Sequence, residues 1–205
     1  NTASAIWWSD SLILEQDFIF ISSRGQSQAD GIKIKMRIMN NSSSSLTLAS
    51  RFIIDTYLGE KGGDHFQTAS LDAVRRETSL IPSETDYFFS SPSDTYPSLG
   101  LVYLIWGNSM HNPYKVVFAN WKRLEESDWN YETSSRRNFN LLPYSINDSA
   151  ALVYYPEQEL AGGESINLEI KMGDFPATAF KPRSEARATE EISVESVRED
   201  VRINI

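Results

Sequence analysis

Between residues 31 and 40 the chain alternates almost without fault. Ile32, Ile34, Met36 and Ile38 fall on one side, and Lys33, Lys35 and Arg37 on the other. A period of two puts successive side chains on opposite faces of a pleated strand, so one face is dry and the other wet. A helix would scatter the same residues around its circumference. Residues 166–172 repeat the pattern, with Ile166, Leu168, Ile170 and Met172 alternating with Asn167, Glu169 and Lys171. Two such segments commit the chain to a sheet with one buried face.

Further segments extend this reading. Residues 12–22 (LILEQDFIFIS) carry the apolar run Phe18, Ile19, Phe20, Ile21, which predicts a strand buried on both faces. Residues 23–31 have turn composition, and residues 40–45 form a polar hairpin loop that returns as a strand over 46–56, completing a β-meander. Residues 59–64 (GEKGGD) make a glycine-rich loop, and residues 79–97 a proline-bearing one, with a short helical turn expected over 71–77. Strands follow over 99–106 and 114–121, joined by a turn at 107–113, and one helical turn over 121–128. The last strands cover 150–155 and 166–172, linked through Gly162 and Gly163. Short strands with turn chemistry between them and no long amphipathic helix predict an all-β, antiparallel two-sheet β-sandwich with long loops over residues 1–180. Residues 181–205 are charged and lack aromatics and glycine. Their apolar spacing fits a final strand and the start of a helix or linker equally.

Composition removes several function classes. A net charge of −9, with isolated basic pairs such as Arg75–Arg76 and Arg136–Arg137 and no long basic stripe, argues against nucleic acid, which needs clustered cations to neutralise phosphates. The absence of cysteine removes disulfides, thiolate metal sites and cysteine nucleophiles together. No run of eighteen apolar residues occurs, so no transmembrane segment is expected. The chain starts at Asn1 rather than at a methionine, which leans towards a removed leader and export.

Candidate chemistry is sparse. The two histidines, His65 and His111, lie in loops, and neither a G-x-S-x-G elbow nor an H-E-x-x-H pattern occurs. Asp55 and Glu60 flank a strand exit and offer the carboxylate pair a sugar-active enzyme would use, Asp55 after an apolar run that would raise its pKa. The competing role for Asp55 is to accept hydrogen bonds from loop backbone. Glu60 and Asp64 could hold calcium, although the D-x-D-x-D-G spacing is missing. Trp7 and Trp8, with Trp106, Trp121 and Trp129, offer either core packing or a platform for sugar rings or a protein partner. No catalytic residue, cofactor or metal is expected. The candidate binding residues are Trp7, Trp8, Asp55, Glu60, Asp64 and His65.

Three segments together carry a resemblance. RFIIDTYLGEKGGDHF (residues 51–66) resembles an R-x-x-x-D-T-x-x-G-x-x-D-G-x-x-F stretch, VFANWKRLEESDWNY (117–131) an A-N-W … W-x-Y segment, and DSAALVYYPEQELAGGESINLEIKMG (148–173) a D-S-A … G-E-S ending. In that order they resemble a β-sandwich module recurring in large bacterial exported and cell-envelope proteins, over roughly residues 17–173. The resemblance implies a non-catalytic structural or protein-interaction module in the periplasm or on the cell surface. Its partner would be an envelope protein or another domain of the same protein. A carbohydrate-binding module, with a glycan as ligand, is the alternative, and a sugar-active enzyme a more distant one. Asp55, Gly59, Asp148 and Ser149 are motif positions and on this analogy organise loops. The chain departs from the pattern at Tyr155, where a Trp is usual, and at Ala161, where a Pro is usual.

Overall fold

The computed structural model describes residues 2–23, 25–83, 85–92, 100–107 and 111–180. The expected strand or helix at 181–205 lies outside the described residues. The strands are β1 (Thr2–Trp8), β2 (Leu12–Ile21), β3 (Gly31–Asn40), β4 (Leu46–Asp55), β5 (Gln67–Thr68), β6 (Thr78–Leu80), β7 (Phe88–Ser91), β8 (Leu101–Leu104), β9 (Lys115–Asn120), β10 (Ser149–Leu160) and β11 (Ser165–Gly173). One short helix, α1 (Trp121–Glu125), and a 3-10 turn, Ala177–Phe180, complete the set. The molecule is an antiparallel two-sheet sandwich, as the alternation predicts. A seven-stranded sheet runs β1-β2-β3-β11-β8-β7-β5, and a four-stranded sheet runs β4-β10-β9-β6.

The two alternating segments pair directly. Ile38 lies beside Ile166, Met36 beside Leu168 and Ile34 beside Ile170. Ile166, Leu168 and Ile170 point into a core shared with Phe66, Phe89, Tyr103, Phe118 and Phe139. On the opposite, wet face Lys33 and Lys171 both approach Glu169, at 3.9 and 2.7 Å. Solvated ion pairs of this kind contribute little, so the dry face carries the energetics.

Four expectations are corrected. The loop at 40–45 is no hairpin, because it carries the chain from the large sheet to the small one. Its anchor is Asn40, fully buried. The Asn40 Nδ2 donates to Ser44 O and Leu160 O (2.7 and 2.9 Å), and its Oδ1 accepts from Ser42 N at 2.9 Å. Asn40 N also donates to Glu164 O, and Gly163 N to Asn40 O, so the β3–β4 and β10–β11 crossings are tied at one residue. A side chain with both donors and acceptors suits such a junction. Second, β10 does not end at Tyr155 but continues to Leu160 through a bulge between Tyr155 and Gln158, which accommodates the missing N–H of Pro156. Third, residues 71–77 form no helical turn. Val74 N donates to Phe66 O at 2.7 Å, and tertiary pairing outweighs local propensity. Fourth, β2 is not buried on both faces, and Phe20 is 60% exposed. It lies one strand in from the edge of the larger sheet, beyond the reach of the smaller one.

Candidate functional site

The predicted binding residues separate into two places. The first is the corner where β4 ends and β10 begins. Asp55 closes β4 and pairs with Ala150, which sets Asp148 at the same end of the sheet. The chain then turns at Gly59, whose φ is +82° and whose missing Cβ would meet Asp64 O at 2.8 Å. Only glycine takes that conformation at such close approach without strain. The turn sends Glu60 back, and its Oε1 accepts from Ser149 N at 3.1 Å. One carboxylate oxygen each from Asp55, Glu60 and Asp148 thus lie within 4.8 Å of one another.

Burial and the neighbouring carboxylates shift the titration of Asp55 and Glu60. Partial burial, then the Asp148 charge, raises the pKa of Asp55. Burial also raises that of Glu60, against the lowering effect of the Ser149 N–H and with the help of Asp148 and Asp55. The donor set is all oxygen, as a hard cation prefers, but three carboxylates are fewer than the six to eight ligands calcium takes.

Asp64 and His65, neighbours of this corner in sequence, take no part in the cluster. Asp64 accepts from Arg75 Nε at 2.5 Å. His65 is 2% exposed, with its Nδ1 2.7 Å from Ser149 Oγ and its ring edge-on to Phe139. A hydroxyl and an imidazole that close are the groups a nucleophilic pair would use, and here both are buried. Asp148, which the resemblance marked as a motif position, completes the corner.

Sequence reasoning missed a second polar centre. Glu77, 3% exposed, accepts from Arg123 Nη1 and Tyr131 Oη at its Oε1, and from Ser134 N and Arg137 Nε at its Oε2. Its burial and the Glu77 charge push the Tyr131 hydroxyl far above the usual range. Beside it Asn120 caps α1, accepting from Arg123 N, while its Nδ2 reaches Phe139 O, Ser145 Oγ and Asp148 O at 2.8–2.9 Å. These bonds fasten residues 126–147 beside the small sheet. No local pattern announces them, because Glu77 and its partners lie 46 to 60 residues apart.

The second place is the far flank of the large sheet, where Trp7 and Trp8 lie on β1. The ladder reads in rows. Trp7 pairs with Leu14, Leu14 with Ile38, and Ile38 with Ile166. Ala3 pairs with Phe18, Phe18 with Ile34, and Ile34 with Ile170. Each row begins in the core and ends in water, Ile166 and Ile170 being buried while Trp7 and Phe18 are 51% and 37% exposed. The core-facing side of the large sheet therefore continues past its partner sheet. Family models and curated proteins give no match to this chain.

The remaining tryptophans pack. Trp106 and Trp121 are partly buried against apolar clusters, as expected of residues that close strands. Trp129 and Tyr131 both meet Tyr154, which accepts from Tyr131 N at its hydroxyl. The Trp129 ring stands edge-on to Tyr154, under the guanidinium of Arg51.

Proposed function

We propose that this chain is a non-catalytic protein-interaction module of the cell envelope, periplasmic or surface-exposed, and that it engages its partner through β1 and the overhanging face beside it. One observation carries the reading: the apolar rows of the core run out into solvent at Trp7, Phe18 and Phe20. Monomeric proteins seldom leave a contiguous apolar face of this kind uncovered. An edge strand beside it supplies backbone N–H and C=O groups for strand addition. The resemblance to envelope modules supports the compartment. The burial of His65 and Ser149 and the pairing of Glu77 support a structural rather than chemical use of those groups.

The carbohydrate alternative has less behind it. Trp7 and Trp8 are consecutive on a strand and so project from opposite faces, which is the wrong geometry for one platform of coplanar rings. The test combines Trp7→Ser, Phe18→Thr and Phe20→Thr. With a photoreactive side chain at Thr2, the wild-type chain is expected to form protein adducts in its native envelope. The triple variant is expected to lose them while keeping its melting temperature within a few degrees. A collapse in stability would instead mark the face as core.

A further inference from the structure

The open edge has a composition that suits one partner in particular. β1 reads TASAIWW and holds no charge and no proline, the two devices by which exposed edges usually discourage pairing. Glu15, Asp17 and Arg37 of the adjoining strands are already engaged on the wet face. Ser4 Oγ donates to Asp17 Oδ1 at 2.6 Å, and Arg37 lies 3.9 Å from Glu15. Among the described residues β1 is paired on its β2 side only, in register with β2 at all seven of its positions, so every second residue turns its N–H and C=O outward.

We infer that β1 pairs antiparallel with β1 of a second copy of this chain, about a two-fold axis at Ala5, joining the two large sheets into one. This rests on the reading of β1 as an interaction edge and names its occupant. An isologous contact requires a self-complementary surface, and the strand's own order supplies one. With Ala5 opposite Ala5 of the second copy, every residue of β1 finds a partner: Thr2 meets Trp8, Ala3 meets Trp7, and Ser4 meets Ile6. Each large side chain faces a small one, on both faces of the sheet. Residues directly opposite in an antiparallel pair have Cβ atoms about 4.5–5.5 Å apart, so the rings of Trp7 and Trp8 fold over the small residues of the other copy. On the core-facing side the two overhangs merge, so that Trp7, Phe18 and Phe20 of both copies line one apolar floor.

The exposed area is in proportion to a modest dimer. Trp7 and Trp8 are 51% and 78% exposed, and aromatic side chains bury about 150–250 Å² each when covered. With Ile6 and the backbone edge this approaches roughly 500 Å² per copy, at the lower limit of specific interfaces, so a dissociation constant of about 1–100 μM is expected.

The experiment is sedimentation equilibrium of the full chain from about 1 to 300 μM, alongside Ala5→Lys and Ala5→Glu, with circular dichroism to confirm that each variant is folded. Two like charges placed opposite each other on the axis are expected to weaken the dimer at least 10-fold in either variant. Mixing the two variants in equal amounts is expected to restore a heterodimer, because the charges then oppose. A wild-type chain that stays monomeric over the whole range overturns the proposal. So does a dimer that both variants form as tightly as the wild type, since its interface must then lie elsewhere. Neither result touches the reading of β1 as an edge for a different protein strand, which the cross-linking experiment decides separately.

Discussion

The two flanks of this sandwich solve the same problem in opposite ways. Beside the small sheet, residues 126–147 place Tyr131 against one apolar cluster and Phe139 in the main core, and buried polar groups fasten them: Glu77 to two arginines, a tyrosine and a backbone N–H, and Asn120 to three acceptors. At the β1–β2 flank no such layer exists among the described residues, and the same apolar rows that build the core end in water. The fastened flank consumes its polar side chains internally. The bare one leaves ring faces and backbone edge groups unused. The Glu77 and Asn120 networks are therefore buried, the acidic corner of Asp55, Glu60 and Asp148 stays partly exposed, and the β1–β2 flank presents apolar rings.

Substitutions on the two flanks should differ accordingly. Glu77→Ala leaves two arginines and the Ser134 N–H without their acceptor, and a cost of about 3–5 kcal/mol is expected in urea unfolding. Asn120→Ala removes the α1 cap and the bonds to residues 139, 145 and 148, with an expected cost of about 2–3 kcal/mol. On the open flank Phe20→Thr should cost less than about 1 kcal/mol, because most of the ring is already in water. A large loss there would show that the flank is covered in solution and would break the comparison.

Tyr155 tests the core between the flanks. It is 1% exposed, and its hydroxyl has no hydrogen-bond partner among the described residues. Tyr155→Phe should raise stability by about 1 kcal/mol, since an unsatisfied buried hydroxyl is removed without changing the ring.

The acidic corner should give the smallest effect, and one with a definite pH dependence. The folded-state pKa values of Asp55 and Glu60 are raised, so the folded chain holds more protons than the unfolded one just above the ordinary carboxylate range. Stability therefore falls as pH rises through that window, and the repulsion is fully present at neutral pH. Asp55→Asn should raise the melting temperature at pH 7 by only about 1–2 °C, because solvent screens the partly exposed site. The gain should vanish as the pH is lowered towards 4. A gain that persisted at low pH would point to packing rather than charge.

How much of this was legible in the sequence follows from the range of the interactions. β3 and β11 were readable because alternation is local, and their pairing follows from two matching dry faces. α1 was expected as one helical turn over 121–128, and its cap at Asn120 bounds it locally. The assignment of strands to sheets was not, since a polar loop such as 41–45 looks the same whether it closes a hairpin or crosses the sandwich. β1 was missed because Thr2, Ala3, Ser4 and Ala5 carry little alternation, and the strand is defined by its ladder to β2. The apolar run at Phe18–Ile21 was misread as doubly buried for a related reason. Hydrophobicity records what a face would bury, not whether this chain supplies the cover. At the acidic corner Asp55 and Glu60 were found from their place at a strand exit. Asp148 joins them only because β10 pairs with β4.

The most direct measurement is amide hydrogen exchange along β1, followed from dilute to concentrated solution. An open edge gives fast exchange in dilute solution at the β1 amides that point away from β2, slowing as concentration rises, while the amides of β9 and β10 stay protected throughout. Uniform and concentration-independent protection of β1 would contradict the account, because the edge would then already be covered within a single chain.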